Sequence, residues 1–273
     1  MGFVHPIKNG QIKRRYGLER MCRDTKKDLL DKTRSIKQLD GVKFIKLEAD
    51  LINYSNKLIR GIEMSITFGI GEVVITTVEH YEKDYRKKIG YKLPEYVIRK
   101  LTREVYRKFL PKPFMGNTLE NRVERLRRRQ EVNIRNGLRL ALGQSGEKVF
   151  DSVYPCFYSP VSVEGGSLAG GFSTLLVGEE NRAYHEASLE FFGYVGTRYI
   201  RFSLTPEHKG RDICDTIAAY VDPTIRVSNP VGVYKIEDLP KAPHPRAFYY
   251  LEPIYELGFI VPGGALKIKN KEE

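Results

Sequence analysis

The sequence predicts an α+β protein, mostly helical with small β elements. Three observations carry this. Residues 119–142 repeat apolar side chains at helical spacing, and residues 194–202 alternate apolar and polar, as a half-buried strand does. Residues 64–78 are rich in β-branched side chains spaced by glycines, a composition that suits strands and also a buried helix.

Taken in order, the chain opens with a basic segment. Lys13, Arg14 and Arg15 lead, and Arg20, Arg23, Lys26 and Lys27 follow, interleaved with Glu19, Asp24, Asp28 and Asp31. A helix is predicted over 18–39 on Leu18, Met21, Leu29, Leu30 and Ile36. It reads either as a charge-laced solvated helix or as an arm that touches DNA or a partner. Residues 41–47 begin with alternation and predict a short strand, and 49–62 predict a helix. Two strands meeting near Gly69 and Gly71 fit 64–78, as does one buried helix. Gly69-Ile70-Gly71 is no phosphate loop, because the third glycine and the Lys-Ser/Thr pair are missing.

A helix is predicted over 94–109, ended by Leu110-Pro-Lys-Pro, since proline lacks the amide donor a helix needs. This proline-rich joint is the natural boundary between an N-terminal α+β region, 1–112, and a second region, 113–262, followed by a charged tail, 263–273. Asn117 or Thr118 caps the next helix, 119–142, whose apolar stripe runs through Val123, Leu126, Ile134 and Leu138. Arg122, Arg125, Arg127, Arg128, Arg129 and Arg135 spread around the rest of that helix. They form surface charge, or they contact phosphates if the partner is nucleic acid. Residues 151–180 read as a long loop rich in Gly and Pro, 179–192 as a helix, 194–202 as a strand and 212–220 as a short helix.

Charge narrows the partners. The 273 residues include 46 Lys and Arg against 34 Asp and Glu, a formal net charge of +12. Such an excess favours an anionic partner, whether nucleic acid, an acidic protein face or a membrane surface, or is simply a basic exterior. No apolar stretch is long enough to span a bilayer, since the longest, 62–77, includes Glu63 and Glu72. Nor is there a signal-peptide pattern or an acylation site, so a soluble protein made in the cytoplasm is expected. Cys22, Cys156 and Cys214 are too few and too scattered for a disulfide framework and are expected to be reduced. Tyrosine is abundant at 17 residues and tryptophan absent, a composition compatible with contacts to other proteins.

Two stretches stand out. One is Asn181-Arg182-Ala-Tyr-His-Glu186, in which Arg182 and Glu186 share a helix face. The other runs from Phe202-Ser-Leu-Thr-Pro and His208 through Ile213-Cys214-Asp215 and Gly232-Val-Tyr to Pro243-His244-Pro245 and Tyr250-Leu-Glu-Pro. Together they make the region from Leu119 onward resemble the minor head, or head-morphogenesis, proteins of tailed phages, the family that contains the F-like protein of phage Mu. Residues 1–110 carry no such likeness. The resemblance implies a head-morphogenesis-like domain at 113–262 and a non-enzymatic protein of the virion. Its partners would be portal or capsid proteins, with non-specific contact to packaged double-stranded DNA. Lys13, Arg14, Arg15, Arg125, Arg127, Arg128 and Arg129 are the candidate phosphate or partner contacts. An internal protein ejected with the DNA and a connector component are the alternative readings.

In cysteine-rich members of that family, His, Cys and a Pro-His-Pro-x-Cys-x-Cys segment recur. Here the corresponding positions are His208, Cys214 and His244, while Ala247 and Tyr249 stand where the last two cysteines would be. Structural zinc needs four ligands in near-tetrahedral array. Ala247 offers none and Tyr249 a poor one, which leaves Asp212 or Asp215 to complete a set. The expected reading is therefore a metal-free descendant in which Phe248, Tyr249 and Tyr250 pack in place of zinc, with Cys214 as a small buried residue. Catalytic readings find little. His185-Glu186 lacks the second histidine of a zincin helix, since position 189 is Leu. No orienting partner is evident for a Cys214–His208 or Cys214–His244 pair.

Overall fold

The computed structural model describes residues 6–109, 118–159, 166–206, 208, 210–241 and 249–255. The described chain is 70% helical with one small antiparallel sheet, a mostly helical α+β fold. The elements are α1 (Pro6–Thr33), α2 (Gly41–Ile89), α3 (Glu95–Phe109), α4 (Leu119–Leu140), α5 (Gly146–Phe157), α6 (Leu168–Tyr194), β1 (Tyr199–Leu204), α7 (Ile213–Ala218), β2 (Val233–Lys235) and β3 (Tyr249–Ile254). No helix among the described residues is long and apolar enough to cross a membrane.

Several segments differ from their sequence-based expectation. The strand expected at 41–47 is the first turns of α2. Asp40 caps them, its carboxylate accepting from the Lys43 amide at 2.8 Å. The segment 64–78 is also helix. Along it and just beyond each end, the buried residues Ile62, Ile66, Ile70, Val74, Val78 and Tyr81 recur every three or four positions. That burial outweighs the helix penalty of β-branched residues, at most about 0.7 kcal/mol each. Thr67 and Thr76 return their hydroxyls to the carbonyls of Glu63 and Glu72, so neither competes with the helix. The expected loop at 151–180 contains the end of α5 and the start of α6, on either side of undescribed residues. Pro155 falls in the last turn of α5, near the end of the helix. The helix expected over 18–39 ends at Thr33, and α4 ends two residues short of its expected limit. The proline-rich joint at 110–114 lies outside the described residues.

The chain divides into two compact units, neither of them continuous in sequence. One unit takes Asn9–Ile70 and Leu110–Glu179. It is helical, built from α1, the first part of α2, α4, α5 and the start of α6. Tyr54 donates to Asp28 at 2.7 Å across α1 and α2, and Arg135 pairs with Glu48 at 2.7 Å across α4 and α2. Gly137 lets α4 and α5 approach closely, since a Cβ there would meet the Ser152 carbonyl oxygen at 2.6 Å.

The other unit includes Gly71–Phe109 and the chain from Glu180 on. It holds the rest of α2, α3, the rest of α6, α7 and the whole sheet. The sheet order is β2-β1-β3, with Ile200 opposite both Tyr234 and Pro253. Ile200 and Phe202 on β1 and Tyr249 and Leu251 on β3 are buried, the alternation that a one-sided sheet requires. Pro253 is tolerated because β3 is an edge strand. The two units thus follow a different line from the 112/113 boundary, since α2 and α6 each contribute residues to both.

Candidate functional site

The residues singled out in the C-terminal stretches gather in the second of these units. Arg182, on α6, is 4% exposed, and its guanidinium carbon lies 3.8 Å from the centre of the Phe109 ring on α3. Burial pulls its pKa down to about 10 against the opposing charge of Glu186, so the guanidinium stays charged at neutral pH. Two turns after Arg182, Glu190 pairs with Lys108 at 2.7 Å. Arg182 and Glu190 therefore hold the C-terminal end of α3 along α6.

His208 and the start of α7 form a second cluster. Asp212 is the N-cap of α7, its carboxylate accepting from the Cys214 amide at 2.7 Å. Asp215 reaches back to the Asp212 amide at 2.8 Å, closing a capping box. His208 Nε2 lies 3.2 Å from the Asp215 carboxylate and 3.8 Å from that of Asp212. The amide and imidazole hydrogen bonds hold Asp215 below the usual carboxylate range. Cys214 is fully buried, and burial together with a thiol hydrogen bond to Asp212 pushes its pKa up to about 12.

Donor atoms of His208, Asp212 and Asp215 all lie within 4.8 Å of one another, close enough to share a cation. The chemistry of the set fits capping better than zinc. Both carboxylates already hold backbone amides, and the raised thiol resists the deprotonation that zinc ligation requires. Tyr249 offers no ligand here. It is 2% exposed, stacks on Phe202 with ring centres 4.6 Å apart, and bonds through its hydroxyl to His185 Nδ1 at 2.8 Å. His244 and Ala247 lie outside the described residues.

The glycine of Gly232-Val-Tyr has a clear local cause. Gly232 sits at φ +69°, and a Cβ there would stand 2.5 Å from the Phe202 carbonyl oxygen and 2.9 Å from that of Ala218. Its own amide donates to the Tyr220 carbonyl at 2.7 Å, and its carbonyl accepts from the Phe202 amide at 2.8 Å. Only glycine lets β2, β1 and the end of α7 meet at this point.

Sequence reasoning missed a buried tyrosine network. Tyr81 of α2 donates to the Leu251 carbonyl of β3 at 2.6 Å, and its hydroxyl lies 2.7 Å from that of Tyr184 on α6. Tyr184 in turn accepts from the Leu251 amide at 2.9 Å. One β3 residue is thereby satisfied on both sides by side chains of two helices. The available signal was Tyr184, inside the Arg182–Glu186 stretch, but nothing in the sequence tied it to Tyr81.

The basic candidates fare differently. Lys13, Arg14 and Arg15 fall on α1, and their side chains lie outside the described part. On α4, Arg127 and Arg128 both pair with Glu124, while Arg125 and Arg129 are exposed. Arg122 is paired with the buried Glu179.

No protein-family model, curated protein or solved structure matches the chain.

Proposed function

We propose that the protein is a non-enzymatic minor head protein of a tailed phage, made in the host cytoplasm and incorporated into the virion during head assembly. The observation that carries this is the convergence of spaced sequence elements. Arg182, Glu186, His208, Cys214 and Gly232, spread over α6, the approach to α7, α7 itself and the turn before β2, all belong to one compact α+β unit. There they pack, cap and turn the chain. A module defined by buried structural residues presents a surface for assembly with portal or capsid proteins. The same arrangement argues against Cys–His catalysis. A buried thiol with its pKa near 12 is a poor nucleophile, and His208 is turned to two carboxylates. The net charge of +12 favours the second reading, an internal protein that contacts packaged DNA without reading its sequence.

Quantitative mass spectrometry of purified particles, before and after removal of their DNA, separates these. Retention at fixed copy number in emptied heads supports a portal- or shell-bound role. Loss with the DNA supports the internal protein. Absence from particles sinks the virion reading.

A further inference from the structure

The outer face of α3 carries a feature outside the stretches that resemble phage proteins. Val97, Leu101, Val105 and Phe109 are buried at four-residue intervals. The opposite side presents a shallow groove lined by Tyr96, Arg99, Lys100, Arg103, Glu104 and Arg107. Arg99, Arg103 and Arg107 form one stripe at i, i+4 and i+8, and Tyr96, 72% exposed, stands at its head. Across α3 there are five basic and two acidic side chains. Glu95 pairs with Arg99 at 3.2 Å, and Glu104 lies 3.9 Å from Lys100. Arg103 and Arg107 are exposed and make no ion pair among the described residues.

On α4, by contrast, Arg122, Arg127, Arg128 and Arg135 all meet carboxylates. Arg129 and Arg139 of α4 are also exposed without an ion pair among the described residues, but they stand ten positions apart, whereas Arg103 and Arg107 of α3 lie one turn apart in line with Arg99.

We infer that this face of α3 is a docking surface for the phosphate backbone of double-stranded nucleic acid. The stripe from Arg99 to Arg107 rises about 12 Å. That matches the axial run of three to four phosphates on one strand, at about 3.4 Å each. Guanidinium forks bind phosphate oxygens in pairs, and the apolar half of the helix is already buried, so the face offers charge and one ring. A protein partner would call for a desolvated apolar anchor, and Tyr96 is the sole exposed large apolar or aromatic residue on α3. The surface requires no base contacts, so it positions the duplex without selecting sequence. The inference stands independently of the head-protein reading.

The test uses the full chain and a fluorescent random-sequence duplex, with binding followed by anisotropy across a series of salt concentrations. Arg103→Gln/Arg107→Gln is compared with Arg60→Gln/Arg139→Gln, exposed arginines on α2 and α4, and circular dichroism checks that each variant folds. The expected result is an affinity loss of about tenfold for the α3 pair, with the salt slope reduced by about 2, one for each phosphate contact removed. The Arg60/Arg139 pair should remain near wild type. Equal losses in both pairs would overturn the assignment, because binding would then follow net charge. So would a wild-type protein without salt-dependent duplex binding, or one that prefers polyglutamate to the duplex and so recognises an acidic protein face.

Discussion

The guanidinium of Arg182 sits over Phe109 with its central carbon 3.8 Å from the ring centre, and both residues are almost wholly buried. A cation removed from water needs compensation, and here a π face and the charge of Glu186 supply it. Arg182→Ala is expected to cost about 2–3 kcal/mol, from the lost cation–π contact and the lost packing of its stem. Arg182→Lys should recover only part of this, since an ammonium is not planar. Urea denaturation measures both. A loss below about 0.5 kcal/mol for the alanine variant would mean that the contact adds no more than a surface pair.

Gly232→Ala should be among the most damaging small substitutions. The added methyl collides with two backbone carbonyls and must hold a left-handed conformation. Such backbone strain costs about 1–3 kcal/mol before the clash is counted. Thermal unfolding should show a clear fall in the midpoint, whereas Gly193→Ala, in open space on α6, should stay close to wild type.

The tyrosine network predicts behaviour in alkali. Burial, helped by the neighbouring Tyr184 hydroxyl, raises Tyr81 well above the ordinary phenol range, and burial raises Tyr184 to about 12 against hydrogen bonds to Tyr81 and Leu251 that pull it down. Folding keeps these phenols protonated. The stabilisation is complete below the unfolded value near 10 and is lost as pH rises through and beyond it. Ultraviolet titration should therefore show a group of tyrosines that ionise only as the fold melts. Tyr184→Phe leaves the Leu251 amide without its partner and should cost about 1–3 kcal/mol. If all tyrosines of the native protein titrate together near 10, the network does not hold in solution.

Asp215 predicts the opposite pH dependence for α7. Its carboxyl is held below the ordinary 3.8 by the Asp212 amide first and His208 second. Its contribution is present above the unfolded value and disappears as pH falls through the lower folded one. Hydrogen exchange at α7, corrected for intrinsic rates, should rise below about pH 4. Asp215→Asn should show raised exchange already at neutral pH, and unchanged protection there would remove the capping box as the cause.

Zinc provides a separate check on the same cluster. A set of caps rather than ligands predicts no change in the thermal midpoint on adding zinc or a strong chelator. Binding to the native state would raise it, by about 2.7 kcal/mol of added stability at a hundredfold excess over Kd. Such a rise, abolished by His208→Ala, would establish a metal centre there.

The legible parts of the fold were those with strong local signals. The apolar spacing of α4, the cap at Thr118 and the alternation around Ile200 and Phe202 all follow from neighbouring residues. The segment around Ile66, Ile70 and Val74 was ambiguous, because a short β-branched run suits either state until burial decides. Glycines at 170 and 171 suggested a loop, yet Gly171 in α6 makes room for Leu126 of α4. Of the candidate site, the residues of the Arg182–Glu186 stretch could be named, but their partners could not. Phe109, Tyr81 and Leu251 come from distant segments, and only the folded chain reveals the pairing.

That neither compact unit is continuous has a consequence for how the chain matures on the ribosome. The helical unit needs residues up to Glu179, and the sheet-bearing unit joins Gly71–Phe109 to strands beyond Tyr199. Neither can be completed before the residues that follow Phe109 have emerged. Early helices must wait, partly uncovered, for sequence made much later, and closure over such long separations slows folding. A fragment cut at the proline-rich joint should expose apolar helix faces, and the intact chain should depend on chaperones or prompt assembly to keep its early half from aggregating.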